Sequence, residues 1–140
     1  MTPTIQSQEL HWDYPATLKN VERVCNNVSS LLDTMPLQQK DRFAIHLLLR
    51  ESLNNAVLHG CHQNPLLTFS CSLVISEEKI SISIKDDGPG FDWHNMPLTP
   101  PDKSRESGRG RSIYTIYATS IEYNDAGNCI TLTRTFNQGE

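Results

Sequence analysis

Along the first third of the chain the apolar positions fall at helical spacing. Leu18, Val21, Cys25, Val28 and Leu32 recur at steps of three and four, the signature of one apolar helix face. Thr17 is a candidate N-cap for that helix, and Pro15 separates it from a short opening strand expected over Glu9 to Tyr14. The helix is expected to run to about Asp33. Pro36 marks the break, and a second helix is expected over roughly Leu37 to His59, with Ile45, Leu48, Leu49, Leu53, Ala56 and Val57 as its deepest face. Leu47 and Leu58 lie off that face. A helix apolar on more than one side is expected to be buried on more than one side, so polar residues on it need a reason.

After Gly60 and a loop over His62 to Pro65 the period changes to two. Leu67, Phe69, Cys71, Leu73 and Ile75 alternate with polar or smaller residues, and Ile80, Ile82 and Ile84 alternate with Ser81, Ser83 and Lys85. The short link at Glu77-Glu78 predicts that these two strands are antiparallel neighbours. A Pro-rich polar stretch from Trp93 to Glu106 is too irregular for a core element and, as the longest loop, is a candidate lid. A third helix is expected from about Gly110 to Ala118. A hairpin follows, Ser120 to Asn124 and Asn128 to Phe136, turned at Asp125-Ala126-Gly127.

The 140 residues, 37% hydrophobic, suit one domain with a proper core. A net charge of -4 provides no basic footprint, so neither direct nucleic-acid binding nor capture by an anionic membrane is expected. No apolar run approaches the length of a membrane span, and Met1-Thr2-Pro3-Thr4 lacks the basic-then-apolar pattern of a signal peptide, so a cytoplasmic location is expected. Cys25, Cys61, Cys71 and Cys129 are irregularly spaced beside apolar segments and read as reduced core residues. His59, Cys61 and His62 cluster without a second ligand pair, which makes zinc an unfavoured reading.

Three polar motifs carry candidate chemistry. Glu51, Asn55 and His59 at i, i+4 and i+8 form one stripe beside the apolar face of the second helix. A carboxylate and a carboxamide looking into one space suit Mg²⁺ with phosphate oxygens, although a solvated polar stripe is an equal alternative for this segment alone. Asp86-Asp87-Gly88-Pro89-Gly90-Phe91 ends the isoleucine strand. A carboxylate fixed there could accept a hydrogen bond from an exocyclic amine such as adenine's, with Gly88 and Gly90 letting the backbone pass close to a flat ligand; an ordinary Asp-Gly turn is the commoner alternative. Ser107-Gly108-Arg109-Gly110-Arg111 opens the third helix, where amide N–H groups, the helix dipole and two guanidinium groups would meet an anion; solvent-exposed arginines are the bland alternative.

In order, a helix with E-x-x-x-N, a strand ending in D-x-G-x-G, a lid loop and G-x-G at a helix start resemble the N box and the two glycine boxes of the GHKL ATP-binding superfamily, over nearly the whole chain. The segments E-S-L-N-N-A-V-L-H-G, D-D-G-P-G-F-D and S-G-R-G-R most resemble the anti-sigma-factor serine/threonine kinases of bacterial partner-switching systems. The resemblance implies an α/β (α+β) two-layer sandwich of the Bergerat type, a mixed, mostly antiparallel sheet with helices on one face. It implies ATP and Mg²⁺ as cofactors, Asn55 as the metal ligand and Glu51 as general base or water-orienting carboxylate. It assigns the adenine amine to Asp86, that wall of the pocket to Gly88 and Gly90, and the phosphates to Ser107, Gly108, Arg109 and Gly110, with Arg111 assisting and Lys103 and Arg105 on the lid as further contacts. Gly127-Asn128 stands where the superfamily commonly has Gly-Thr, which leaves Asn128 or Thr131 to supply the polar contact there.

The implied function is phosphorylation of an anti-sigma-factor antagonist of the STAS type on serine or threonine, with sequestration of a partner such as a sigma factor, and with a homodimer as a further assembly. The alternative is a nucleotide-gated binding module in which ATP orders the lid without turnover. A histidine-kinase catalytic domain is disfavoured, because His11 lies on a presumed strand and no helical pair carries a phosphoacceptor.

Overall fold

The segments with period two pair edge to edge into one sheet. The computed structural model describes residues 8–88 and 113–136, and within them β1 (Gln8–Pro15), β2 (Thr68–Ile75), β3 (Lys79–Asp86), β4 (Ser120–Tyr123) and β5 (Cys129–Thr135) lie in the order β1-β2-β3-β5-β4. The expected two-layer class is present, and all four pairings among the described strands are antiparallel. The reason is the placement of β5, which returns between β3 and β4 and so keeps apart two strands that run in the same direction.

Register then sorts the side chains. Ile80, Ile82 and Ile84 face the same side as Phe69, Cys71, Leu73, Ile130 and Leu132, and all are buried. The opposite face is small and polar, with hydroxyl pairs Ser81–Thr133 at 3.2 Å and Ser83–Thr131 at 3.0 Å bridging β3 and β5. At the β4–β5 turn Gly127 takes a positive φ of 77°, which a residue without Cβ adopts cheaply. The Asn124 Oδ1 accepts the backbone N–H groups of Gly127, Asn128 and Cys129, closing that turn.

Two helices cover the apolar face. In α1 (Leu18–Leu32) Thr17 is the N-cap, its side chain accepting the Asn20 N–H at 3.2 Å. Val21, Val24, Cys25, Val28 and Leu32 are buried, whereas Leu18, on the first turn at the rim of the stripe, is 44% exposed. In α2 (Gln39–Asn55) and the turn that continues it, all six residues expected on the deepest face are buried. A third helix, α3, covers residues 113–117 of the described segment and buries Tyr114.

The polar residues of α2 have identifiable reasons to be there. Buried Ser52 donates to the carbonyls of Leu48 and Leu49, at 2.7 and 3.0 Å, so its hydroxyl is satisfied within the helix. Asp41, 2% exposed, accepts from Arg134 of β5 through Nε at 3.0 Å and Nη2 at 2.9 Å. Arg134 also donates through Nη1 to the Tyr117 carbonyl at 2.8 Å. One guanidinium therefore joins the first turn of α2, the end of α3 and β5. All four cysteines are free, and burial pushes the Cys71 thiol up to about 12, which makes it an inert core group. Among the described residues no helix is long and apolar enough to cross a membrane.

Candidate functional site

The α2 helix does not continue regularly to His59. Its α-helical hydrogen bonding ends at Asn55, and Ala56–Gly60 forms one π-helical turn in which the Cys61 N–H reaches back five residues to the Ala56 carbonyl at 2.8 Å. The wider turn changes the angular step after Asn55, the second residue of the stripe expected to hold Glu51, Asn55 and His59. Glu51 and Asn55 are half-buried one turn apart, while His59 is exposed beyond them.

Opposite Asn55 stands Tyr114 of α3. The Asn55 Nδ2 donates to the Tyr114 hydroxyl oxygen at 2.8 Å, and the phenol is 4% exposed. Burial raises the Tyr114 pKa well above the ordinary phenol value, and the nearby Glu51 charge adds to that, so the hydroxyl stays protonated. Among the described residues the Asn55 Oδ1 accepts no hydrogen bond. One free amide oxygen is the kind of hard donor that fits a Mg²⁺ ion arriving with phosphate oxygens and water. No group of three or more His, Cys, Asp or Glu among the described residues could hold a metal by itself.

The second part of the site lies where the π-helical turn meets the end of β3. Strand alternation places Asp86 on the helix-covered side, half-buried, and its Oδ1 accepts the Gly88 N–H at 2.7 Å. Desolvation raises the Asp86 pKa, partly offset by that N–H bond. Asp87 points elsewhere: its Oδ2 accepts the Thr68 N–H at 2.9 Å and the Thr68 hydroxyl at 2.7 Å, which lowers its pKa. Of the two adjacent carboxylates, one is tied to the β2 end and the other looks toward the helix layer.

Space around Asp86 is set by two glycines. A Cβ on Gly60 would overlap the Asp86 carboxylate, and a Cβ on Gly88 would overlap the Gly60 carbonyl oxygen. Gly88 is thus required by close packing of two backbones, and Gly60 by the carboxylate. Asn128 completes this corner. Its Nδ2 donates to the Gly88 carbonyl at 3.4 Å and its Oδ1 accepts from the Asn124 Nδ2 at 2.7 Å. Thr131, the other candidate for this wall, hydrogen-bonds Ser83 on the opposite face of the sheet. Asn128 is the one of the two on the site's side.

The structure therefore places Glu51 and Asn55 together on α2 and places Asp86 and Gly88 together at the end of β3. Gly90, Ser107, Gly108, Arg109, Gly110 and Arg111, with the lid stretch from Trp93 to Glu106 and its Lys103 and Arg105, lie outside the described residues. Two members of the site were not anticipated. Gly60 carries no local signal beyond its place at a helix end. Tyr114 had one: a phenol on the inward face of a helix must find a polar partner for its hydroxyl.

A helix carrying a carboxylate and a carboxamide, packed over an antiparallel sheet with a half-buried aspartate at a strand end, is the arrangement that the resemblance to GHKL-type ATP-binding domains implies. In agreement, a family model described as histidine kinase-like ATPase domain matches residues 14–134, and the chain belongs to that family. Membership implies ATP as the ligand. The chain is also similar to proteins named anti-sigma F factor: 25% identical over 119 residues to that of Bacillus cytotoxicus, covering 81% of each chain, and 26% over 99 residues to that of Oceanobacillus iheyensis, covering 68% of each. A third, from Geobacillus kaustophilus, is 24% identical over 110 residues, 75% of each chain.

Proposed function

We propose that the protein is an ATP- and Mg²⁺-dependent serine/threonine kinase of a cytoplasmic partner-switching system, which phosphorylates a STAS-type antagonist and holds a regulatory partner such as a sigma factor when that antagonist is absent. The observation that carries the reading is Glu51 one helical turn before Asn55, both half-buried at the edge of the α2–α3 seam. The similarity to proteins named anti-sigma F factor supports the choice of partners.

In this reading Asp86 accepts the adenine amine, and Gly88 and Gly90 leave room for the ring. Ser107, Gly108, Arg109, Gly110 and Arg111 receive the phosphates. Asn55 holds Mg²⁺, which when bound screens the charge of the phosphate oxygens. Glu51 accepts the proton of the substrate hydroxyl as its oxygen bonds to the γ-phosphorus and the bond from that phosphorus to the bridging oxygen breaks, leaving ADP. Positioning and charge stabilisation do most of the work in such a transfer.

Incubation of the purified protein with ATP, Mg²⁺ and its cognate antagonist, read on a phosphate-affinity gel, tests the kinase step. Transfer is expected, and Glu51→Ala is expected to reduce it at least a hundredfold with nucleotide affinity within about twofold of wild type. An antagonist that binds normally yet acquires no phosphate would leave the nucleotide-gated binding module in its place.

A further inference from the structure

We propose that Tyr114 is a positioning residue for the metal ligand: its hydroxyl pins the Asn55 carboxamide at the contact between α2 and α3, so that the amide is held in place when a nucleotide-bound Mg²⁺ takes its oxygen. This rests on the assignment of Asn55 as the Mg²⁺ ligand.

A carboxamide is two-sided. Its oxygen can ligate a cation and its nitrogen cannot, yet rotation about the last side-chain bond exchanges them with little change in shape. A tyrosine hydroxyl can accept from the nitrogen or donate to the oxygen, so it pins the carboxamide without choosing an end, and a cation that takes the oxygen leaves the nitrogen to the hydroxyl. Here the Nδ2 is engaged at 2.8 Å by the Tyr114 oxygen, and the Oδ1 accepts nothing among the described residues. The phenol cannot easily turn away, because Tyr114 is 4% exposed and its ring is part of the core. Burial also makes the contact specific. A buried hydroxyl left without a partner is costly, so the Asn55–Tyr114 bond is favoured in the folded protein before any ligand arrives.

The position of Tyr114 has a second consequence. It belongs to α3, whose far end is held by Arg134 through the Tyr117 carbonyl, and the same guanidinium holds Asp41 at the start of α2. Asn55 near the end of α2 and Asp41 at its beginning are thus both tied to α3, the first directly and the second through β5. The helix that follows the glycine-rich segment and the helix that bears the metal ligand are set at a fixed separation by polar contacts. Groups that act on one phosphate chain from two helices need such a constraint, since effectiveness falls steeply with small misplacements.

The test is a titration of Mg²⁺ against a fluorescent ATP analogue bound to the full chain, with analogue binding in chelator as the metal-free reference. Tyr114→Phe keeps the ring and removes only the hydroxyl. It is expected to raise the half-saturating Mg²⁺ concentration about three- to tenfold, the worth of one neutral hydrogen bond, with metal-free binding unchanged. In an Asn55→Ala background the same substitution is expected to add nothing, since no amide remains to be held. Thermal unfolding without ligand reports whether each variant is folded, and Tyr114→Met, which retains the bulk without the ring, serves if the phenylalanine variant does not fold. Wild-type Mg²⁺ dependence in the Tyr114 variant, beside an Asn55→Ala protein that has lost it, would overturn the positioning role alone. Equal weakening with and without Mg²⁺ would also overturn it, as the sign of a purely structural contact. Asn55→Ala with unchanged Mg²⁺ dependence would remove the metal-ligand assignment and the positioning role together.

Discussion

The two ends of α2 handle polar groups in opposite ways. At its beginning, Asp41 is sunk in the core and its charge is met by Arg134, a contact that also secures α3. At its end the helix widens into a π-helical turn, and Asn55 keeps an oxygen that no described residue uses. Both ends are polar and both are tied to α3, one directly and the other through Arg134 of β5, so polarity does not distinguish structural from functional residues. Spare hydrogen-bonding capacity does. A buried charge matched inside the protein is spent on holding the fold, whereas an acceptor left open at the mouth of a seam is available to a ligand.

Breaking the first end should have the largest effect. Arg134→Ala, which leaves the buried Asp41 carboxylate unmatched, is expected to cost about 3–5 kcal/mol in urea unfolding and Asp41→Ala less, because Arg134 is partly exposed and keeps the Tyr117 carbonyl, while Asp41→Leu combined with Arg134→Met should recover most of the loss. If the single variants are as stable as the double, the pair does not hold α2 as described. Gly88→Ala comes next, with about 1–3 kcal/mol expected, because its Cβ meets backbone that cannot rotate aside. Gly60→Ala meets first the Asp86 side chain, its Cγ and both oxygens, which must shift as a whole but is not backbone. Its stability should be closer to wild type and its nucleotide affinity clearly lower, the reverse of a structural glycine.

Asp86→Asn sharpens the same contrast by separating stability from binding. The folded state holds the Asp86 proton more tightly than the unfolded chain does, because burial raises its pKa. Its contribution to stability therefore falls as pH rises from the ordinary value of 3.8 through the raised one, and above both the ionised carboxylate is a burden on the unliganded fold. The asparagine variant is expected to lose that slope and to unfold at higher temperature at neutral pH. ATP affinity should meanwhile fall about ten- to a hundredfold, the worth of a hydrogen bond to a charged group. A variant with lower stability at pH 7 would contradict the desolvated carboxylate. Smallest of all, Glu22→Gln removes the exposed ion pair with Arg50, at 2.5 Å on the surface, and should leave the unfolding transition within experimental error.

Most of the layer structure was legible along the chain. The isoleucines of β3, the six inward residues of α2 and the Thr17 cap all depend on neighbours within one or two turns or along one strand, where period and side-chain chemistry suffice. The candidate site was legible as three motifs in order, and two of its assigned pairs, Glu51 with Asn55 and Asp86 with Gly88, have the proximity that short spacing implies. The π-helical turn at Ala56–Gly60 left no trace in the periodicity, and His59 within it is exposed while Glu51 and Asn55 are half-buried. Choosing between Asn128 and Thr131 needed the strand register, since one residue's difference in parity sends a side chain to the other face.

Local order thus belonged to the chain itself: which stretches are helix or strand, which faces are apolar, and the succession of motifs that marks an ATP-binding domain. The matching of distant polar groups did not. Asn55 meets Tyr114 across 59 positions and Asp41 meets Arg134 across 93, and such pairs are created by how sheet and helices stack, because no periodicity within one element specifies what another element will bring against it.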